Sequence, residues 1–469
     1  EPFERPSLIN KDFMEFATQE DFEAVLNKHH NIQYVDALFT DLCGYVRGKR
    51  FPLLEADKIF SDGVLLPFSA FYLDVLGGVT NTLNLGFTDG DPDGVLMPIK
   101  NTIQPVPWDE RILQVLISLR KDQEKWGVIK EPSEADPRNI LKKVLDRFKG
   151  SGFNPVVAFE LEFYLLDKER DSKGKPTPAK GTNKTHVYGI PDLDLFGDLF
   201  HEINENCKIQ NIPATTASSE FAAGQYEINL RHSGDLLKAA DDAALLRRVI
   251  KETCLRHGYE ATFMAKPFLE ETGNGMHLHI SVYDNNEKNI FTTTSRYGNE
   301  YLKSAIAGLQ STFYESFPIF IPNRNGYRRI QARNFVPVNT SWSWNRRDVS
   351  LRIPAGSNKA KRIEHRAASA DANPYLVLAC VLAGLHNGLM NKLKPNNFVN
   401  FDNTKGADSE VDDEMPTNLE SSLNKFQSSN LLSKYLGKEY LELYTSTKLG
   451  EMEHMNSSFI PKEEYDFYL

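Results

Sequence analysis

The sequence has 469 residues, which at roughly 100–200 residues per domain allows two to four domains, or one large enzyme domain with an appendage. Hydrophobic residues at 41 % and aromatics at 11 % exclude a disordered chain, and a net charge of −10 excludes a general nucleic-acid binder while leaving room for a local basic pocket. Four separated cysteines, Cys43, Cys207, Cys254 and Cys380, form no CxxC pair, so a reduced, cytoplasmic protein without a thiolate zinc site is expected.

In chain order, Asp21 to Lys28 reads as a short amphipathic helix, followed by a strand–turn–strand pattern over Ile32 to Asp41 and Gly44 to Arg50. Turns are expected at Asp89-Gly90 and Asp93-Gly94. Breaks are expected near Pro105 to Asp109 and at Pro132 to Pro137, with Asp136-Pro137 opening a helix to Phe148. Asn154 to Leu166 is a strongly apolar strand, Lys168 to Lys184 an exposed loop and Leu236 to His257 a long helix. Pro374 to Leu389 is the most apolar run, but it is shorter than the roughly 20 residues of a membrane span and contains His386 and Asn387, so a buried helix is expected and no membrane partner. Asn396 to Thr417 is a polar, acidic surface excursion, and Leu419 to Leu443 is helical in pattern. No signal-peptide pattern opens the chain, and Glu1 in place of Met leads us to expect a natural start further upstream.

The chemistry concentrates in a few strands. In Val156 to Leu166, Glu160 and Glu162 share a face of a strand whose other residues are apolar. Two carboxylates buried together demand a nearby cation. Glu220 and Glu227 bracket a small-residue turn; His277, His279 and Ser281 alternate on one strand; Arg362, Glu364 and Arg366 alternate on another. Oxygen-rich donors with one imidazole suit Mg²⁺ or Mn²⁺ better than zinc. Alone, either histidine is more often a satisfied core or surface residue than a ligand, and Glu160 with Glu162 could still be a solvated sheet face.

Arg328, Arg329, Arg333, Arg346, Arg347, Arg352, Lys359, Arg362 and Arg366 crowd into 39 residues of an acidic chain, which points to an anionic ligand, with a solvated basic face as the alternative. Gly44 to Arg50 is one residue short of a P-loop and lacks the Ser/Thr after Lys, so it is not one.

These segments, in this order, resemble the glutamine synthetase superfamily over roughly Asn31 to Asn391; Arg47-Gly48-Lys49-Arg50, Arg362 to Arg366 and Ala370 to Leu376 resemble its γ-glutamylputrescine synthetase branch. The resemblance implies an α+β protein: a small N-terminal β-grasp domain (20–115) and a large catalytic domain (116–469) on a curved antiparallel sheet flanked by helices. It implies a homo-oligomer, a dodecamer of two stacked hexameric rings with active sites between subunits. It implies ATP as co-substrate, two or more Mg²⁺ or Mn²⁺ per subunit, and glutamate and an amine as substrates. Glu162, Glu220 and Glu227 would hold one ion, and Glu160, His277 and Glu364 the second. Arg329, Arg366 and the Gly273 backbone would grip glutamate. Arg347 and Arg352 would face the transferred phosphate, Glu364 and Arg347 serving catalysis, and His279, Ser281, Arg352, Lys359 and Arg362 would lie at the nucleotide. Asp41 would reach across a subunit interface to accept the amine's proton.

One departure bears on the substrate. Ammonia-using members carry a flap glutamate where this chain has Phe335, and Ile330 to Trp344 contains no Glu. An aromatic there suits the methylene chain of a longer amine, with Trp342 and Trp344 as possible neighbours; a core Phe and interface tryptophans are the plainer alternative. Thr272 stands where the family has Asn before Gly273, and the segment that carries an adenylylation tyrosine in bacterial glutamine synthetases is not recognisable. The expected reaction joins the γ-carboxylate of glutamate to putrescine or another polyamine through γ-glutamyl phosphate. Ammonia-dependent glutamine synthesis and a non-catalytic ring protein are the competing readings.

Overall fold

A computed structural model describes residues 16–80, 90–120, 132–182 and 187–458. Two sheets organise them. The first has six strands: β1 (Tyr34–Thr40), β2 (Val46–Pro52), β3 (Val64–Pro67), β4 (Asp93–Pro98), β5 (Gln104–Pro105) and β6 (Ile112–Leu119). Their order is β2-β1-β6-β4-β3, with β5 on β6, and β1 runs parallel to β6. β6 reads Ile-Leu-Gln-Val-Leu-Ile-Ser-Leu and is buried throughout, as a strand covered on both faces should be.

The second sheet has eight strands: β7 (Asn154–Asp167), β8 (Ala214–Ser219), β9 (Gln225–Leu230), β10 (Tyr259–Thr262), β11 (Met276–Tyr283), β12 (Trp342–Trp344), β13 (Leu351–Ile353) and β14 (Ile363–His365). Their order is β12-β13-β14-β11-β7-β9-β8, with β10 also on β7. Pairing is antiparallel apart from β12, which runs parallel to β13. Phe159, Leu161, Phe163 and Leu165 send one face of β7 into the main core, so Glu160 and Glu162 occupy the other.

Helices cover the core side, and polar caps fix where they begin. Asp235 accepts from Lys238 N to open Leu236–Arg256. Asn373 caps Pro374–Asn391 and also donates to Asp41 O, tying that helix to the first sheet. Pro374–Asn391 is buried as expected, packed on Glu300–Ser311 through glycines. A Cβ on Gly308 would stand 2.1 Å from Gly384 O, and one on Gly388 2.2 Å from Ser304 O. No helix among the described residues is long and apolar enough to cross a membrane.

Some sequence expectations shift. The first helix is Gln19–Leu26, two residues early, because Thr18 and Asp21 form a reciprocal capping box. Asp93-Gly94 begins β4 instead of making a turn; Gly94 is needed because its Cβ would meet the Phe68 ring at 2.3 Å. Asp89 and part of the Lys168 to Lys184 loop lie outside the described residues. The break expected at Pro105 to Asp109 is a hairpin connection inside the first sheet, since β5 pairs with β6. A division at 115/116 falls within β6, which bonds to β1 and β4, so we place the boundary after Leu119. The C-terminal helical stretch is three helices, Leu419–Gln427, Asn430–Leu436 and Lys438–Ser458, the last two separated by Gly437 at φ +99°.

Candidate metal centre and active site

The sheet order places the expected donors side by side. Glu162 lies opposite Glu227 and Glu160 opposite His277 in the register, while His279 and Arg352 both face Glu364. Five adjacent strands, β9, β7, β11, β14 and β13, thus contribute to one patch of one face. Donor atoms of Glu162, Glu220 and Glu227 lie within 4.8 Å of one another, as do those of Glu160, Glu227 and His277, and of Glu160, His279 and Glu364.

The trio Glu162, Glu220 and Glu227 came together as expected. The second set differs in detail. His277 Nδ1 lies 3.2 Å from Glu364 Oε1 and 3.6 Å from Glu160 Oε2, so the expected three do meet. His279, expected only near a nucleotide, also enters: its Nε2 lies 2.8 Å from Glu160 Oε1. Arg362 Nε donates to His279 Nδ1 at 3.0 Å, so Nδ1 accepts and Nε2 carries the proton toward Glu160.

Charge is balanced unevenly across the patch. Burial works against ionised Glu364, but Arg366 beside it and His277 more than compensate, holding its carboxyl well below the usual range. Arg366 Nη1 donates to Glu364 Oε1 at 2.7 Å and Arg352 Nη1 to Oε2 at 2.9 Å. Burial likewise opposes ionised Glu160, and hydrogen bonds from His277 and His279 reverse the effect. Burial and Arg366 disfavour charge on His277, yet its bonds to Glu160 and Glu364 raise its pKa. On the other side, burial and the Glu162 charge push Glu220 up to about 8. Burial and the charges of Glu160 and Glu162 push Glu227 well above its ordinary value. An all-oxygen trio so short of positive charge fits a hard divalent cation.

The arginines sort themselves. Arg329 is buried, with Nη1 on Ala367 O at 3.0 Å, and burial lowers its pKa. Gly273 lies against it: a Cβ there would meet Arg329 Cγ at 2.8 Å and Ala265 O at 2.5 Å. Arg347 is exposed and close enough to Glu220 for its charge to be felt. Ser281 lies buried further along β11 on the face of His277 and His279. Lys359 stands exposed on a short turn, where its carbonyl accepts from Asn289; its side chain does not join the bonded cluster.

Asp41 lies where β1 turns into β2. It is fully buried: Oδ1 accepts from Tyr45 N at 2.9 Å and Oδ2 pairs with Arg47 Nε at 2.7 Å. Both oxygens bond within the β1–β2 turn of its own subunit, and burial pushes the carboxyl up to about 6. Trp342 is buried against Phe398, and Trp344 packs on Phe401 with Arg296 over its ring. Phe335 is 62 % exposed. Its carbonyl accepts from Arg366 Nη2 at 3.2 Å, which ties it to the site.

Three residues went unread in the sequence. Asn229 Nδ2 donates to Glu160 Oε1 at 3.0 Å, and Gln225 Nε2 to Gly273 O at 3.0 Å. Gln225, Glu227 and Asn229 alternate on β9, so the same period of two that found Glu160 and Glu162 could have found them. His232, 6.4 Å from the His279 ring and pushed down to about 4 by burial, lies in irregular backbone where no period applies.

Comparison with known proteins fits this geometry. The family profile "Glutamine synthetase, catalytic domain" matches residues 134–468. The chain is 36 % identical to the γ-glutamylputrescine synthetase of Escherichia coli (strain K12), over 93 % of this chain and 92 % of that one. It is 31 % identical to a glutamate–isopropylamine ligase of Pseudomonas sp, over 94 % and 95 %. It is 29 % identical to the glutamine synthetase of Methanocaldococcus jannaschii, over 95 % and 96 %. A solved structure of GmaS in complex with ADP superposes with a TM-score of 0.80 at 24 % identity, covering 95 % of this chain and 98 % of that one, which establishes the shared fold. The chain belongs to the glutamine synthetase family.

Proposed function

We propose that this enzyme, a carboxylate–amine ligase of the glutamine synthetase family, joins the γ-carboxylate of glutamate to an organic amine larger than ammonia, with putrescine or another polyamine the leading substrate. The relatives named for putrescine and isopropylamine support glutamate–amine ligation. The observation that favours a larger amine is Phe335: a side chain with no charge, exposed beside the site, its carbonyl bonded to Arg366. A small cation such as ammonium gains most from a carboxylate, whereas a methylene chain gains from an apolar ring.

Glu162, Glu220 and Glu227 would hold one Mg²⁺ or Mn²⁺, and Glu160, His277 and Glu364, with His279 alongside, a second. When bound, such ions neutralise charge on a phosphoryl group moving from ATP to glutamate. Arg329 and Arg366 offer forks for the glutamate carboxylates, with Gly273 letting the backbone approach Arg329. Arg347 and Arg352 would face the transferred phosphoryl group, and His279, Ser281 and Arg362 the nucleotide. The amine must attack as free base, about one part in a thousand of a primary amine at neutral pH. Asp41 of a neighbouring subunit, which in its own subunit pairs with Arg47, would accept the amine's proton. The assembly we propose is the double hexameric ring of the resemblance; the exposed residues Gly48, Lys49 and Arg50 on the outer strand β2 leave a backbone edge for another copy to meet.

The experiment is phosphate release from Mg·ATP and glutamate with ammonia, putrescine, spermidine and ethanolamine added in turn. A polyamine is expected to stimulate far more than ammonia, and Phe335→Glu to shift the preference toward ammonia. Stimulation by ammonia alone would make the chain a glutamine synthetase and overturn the reading.

A further inference from the structure

The acidic excursion 396–417 had no role in the sequence, and the structure lays it along the flap that carries Phe335. Arg333 N donates to Asp408 O at 2.8 Å, and Phe335 N to Asp408 Oδ2 at 2.9 Å. Asn339 Nδ2 reaches Ala407 O at 2.7 Å, and Asp412 N reaches Val338 O at 2.8 Å. Asp348, paired with Arg346, accepts from Ala407 N, while Arg346 Nη1 gathers the carbonyls of Asn400, Phe401 and Asn403. Asp408 is buried on a segment that is otherwise mostly exposed.

The bonds to Asp408 fall on the two strained points of the flap. Arg333 has φ +63° and Phe335 φ +54°. Left-handed backbone is costly for a bulky L residue and persists only where surrounding bonds impose it. At Phe335 they come from both sides: Asp408 holds its N–H, and Arg366, itself on Glu364, holds its carbonyl. A chain of direct contacts therefore runs from the excursion through the Phe335 backbone to the carboxylate cluster.

We propose that Asp408 is a positioning residue for amine selection: it fixes the Phe335 backbone against Arg366, so that the excursion 396–417 sets the room available to the amine. This rests on the amine-ligase reading for its substrate, but the clasp itself can be read without turnover. In the full-length protein, Asp408→Ala removes the acceptor for Phe335 N, whereas Asp408→Asn keeps an oxygen there. Losing one charge-assisted hydrogen bond corresponds to roughly a tenfold change in an equilibrium. Chymotrypsin cleavage after Phe335, mapped by mass spectrometry, is expected to accelerate by about that factor in Asp408→Ala and to stay near wild type in Asp408→Asn. The KM for putrescine should rise by a similar factor, with the KM for ATP and the melting temperature little changed. Asn339→Ala, which cuts the neighbouring bond to Ala407, should shift both readouts the same way by less.

Unchanged cleavage in Asp408→Ala would overturn the proposal. So would equal losses for ATP and putrescine with a fallen melting temperature, which would mark Asp408 as merely structural. Faster cleavage with an unchanged putrescine KM would overturn the role in amine selection while leaving the ligase reading intact. No turnover of any amine by the wild-type protein would sink the ligase reading instead, and cleavage would still decide whether Asp408 holds Phe335.

Discussion

Two halves of one carboxylate cluster, sharing strand β7, are neutralised in opposite ways. Glu160 and Glu364 are surrounded by His277, His279, Arg352 and Arg366, and their pKa values fall. Glu220 and Glu227 face mostly other carboxylates, and theirs rise. The protein supplies much of the counter-charge for the first half itself and leaves most of that for the second to something it must bind. Carboxylates on a dry strand are therefore not one kind of feature: what surrounds them decides how much of their charge the protein balances before any cation binds.

The largest expected effect tests the shared part of that contrast. Glu227→Gln and Glu364→Gln should each lower turnover by at least about a hundredfold, since a bound divalent ion supplies several kcal/mol of charge stabilisation. Raising Mg²⁺ should restore part of the activity of Glu227→Gln, which has lost only a ligand. It should do little for Glu364→Gln, which has also lost the partner of two arginines. Equal rescue of both, followed by steady-state kinetics against Mg²⁺, would erase the distinction.

Stability should separate the halves by sign. Glu364 pairs with Arg352 and Arg366, all three largely buried. Removing one member of a buried pair leaves uncompensated charge and typically costs about 3–5 kcal/mol. Denaturant unfolding of metal-free Glu364→Gln should show a loss of that order. Metal-free Glu227→Gln should be as stable as wild type or more so, because it removes one of several crowded carboxylates. A large loss there would mean that the trio is internally compensated after all.

How much of this was legible in the sequence follows from the same physics. Glu160, Glu162, Glu227, His277, His279 and Glu364 could be read because a strand repeats every second residue and an apolar strand makes a charge conspicuous. Asn229 and Gln225 obey the same period, but being neutral they are not made conspicuous by a dry strand as a charge is. The pairing of Asp41 with Arg47 was not legible because Arg47 lies across a turn, and only the folded hairpin brings the two together. The excursion 396–417 was legible as surface but not as a clasp, because its bonds to the flap span some 60 to 75 residues and run largely through main-chain groups. The boundary misplaced into β6 has a similar cause: a two-residue strand, β5, carries too little pattern to separate a hairpin from a linker.

The smallest expected effect is a pH dependence, and it isolates the trio. Glu220 in the folded protein is raised from 4.5 to about 8, and Glu227 moves the same way. The folded state therefore holds these protons more tightly than the unfolded chain. Their contribution to stability is complete below the ordinary carboxylate value and is lost as pH rises, that of Glu220 through about 8. His277, also raised, adds loss of the same sign as pH climbs from its ordinary value near 6.5. Glu364, lowered, acts oppositely: its contribution is present above 4.5 and is lost only in stronger acid. Without divalent ions, the melting temperature should thus decline as pH rises from about 5 to about 8, between the ordinary carboxylate value and the raised value of Glu220. Mg²⁺ should cancel much of the decline, because the ion takes the place of the displaced protons. Glu227→Gln should also flatten it without any ion, while leaving the part due to His277. A decline that Mg²⁺ does not touch and Glu227→Gln does not flatten would place the titration in the compensated half, and the division of the cluster into two kinds of carboxylate would fail.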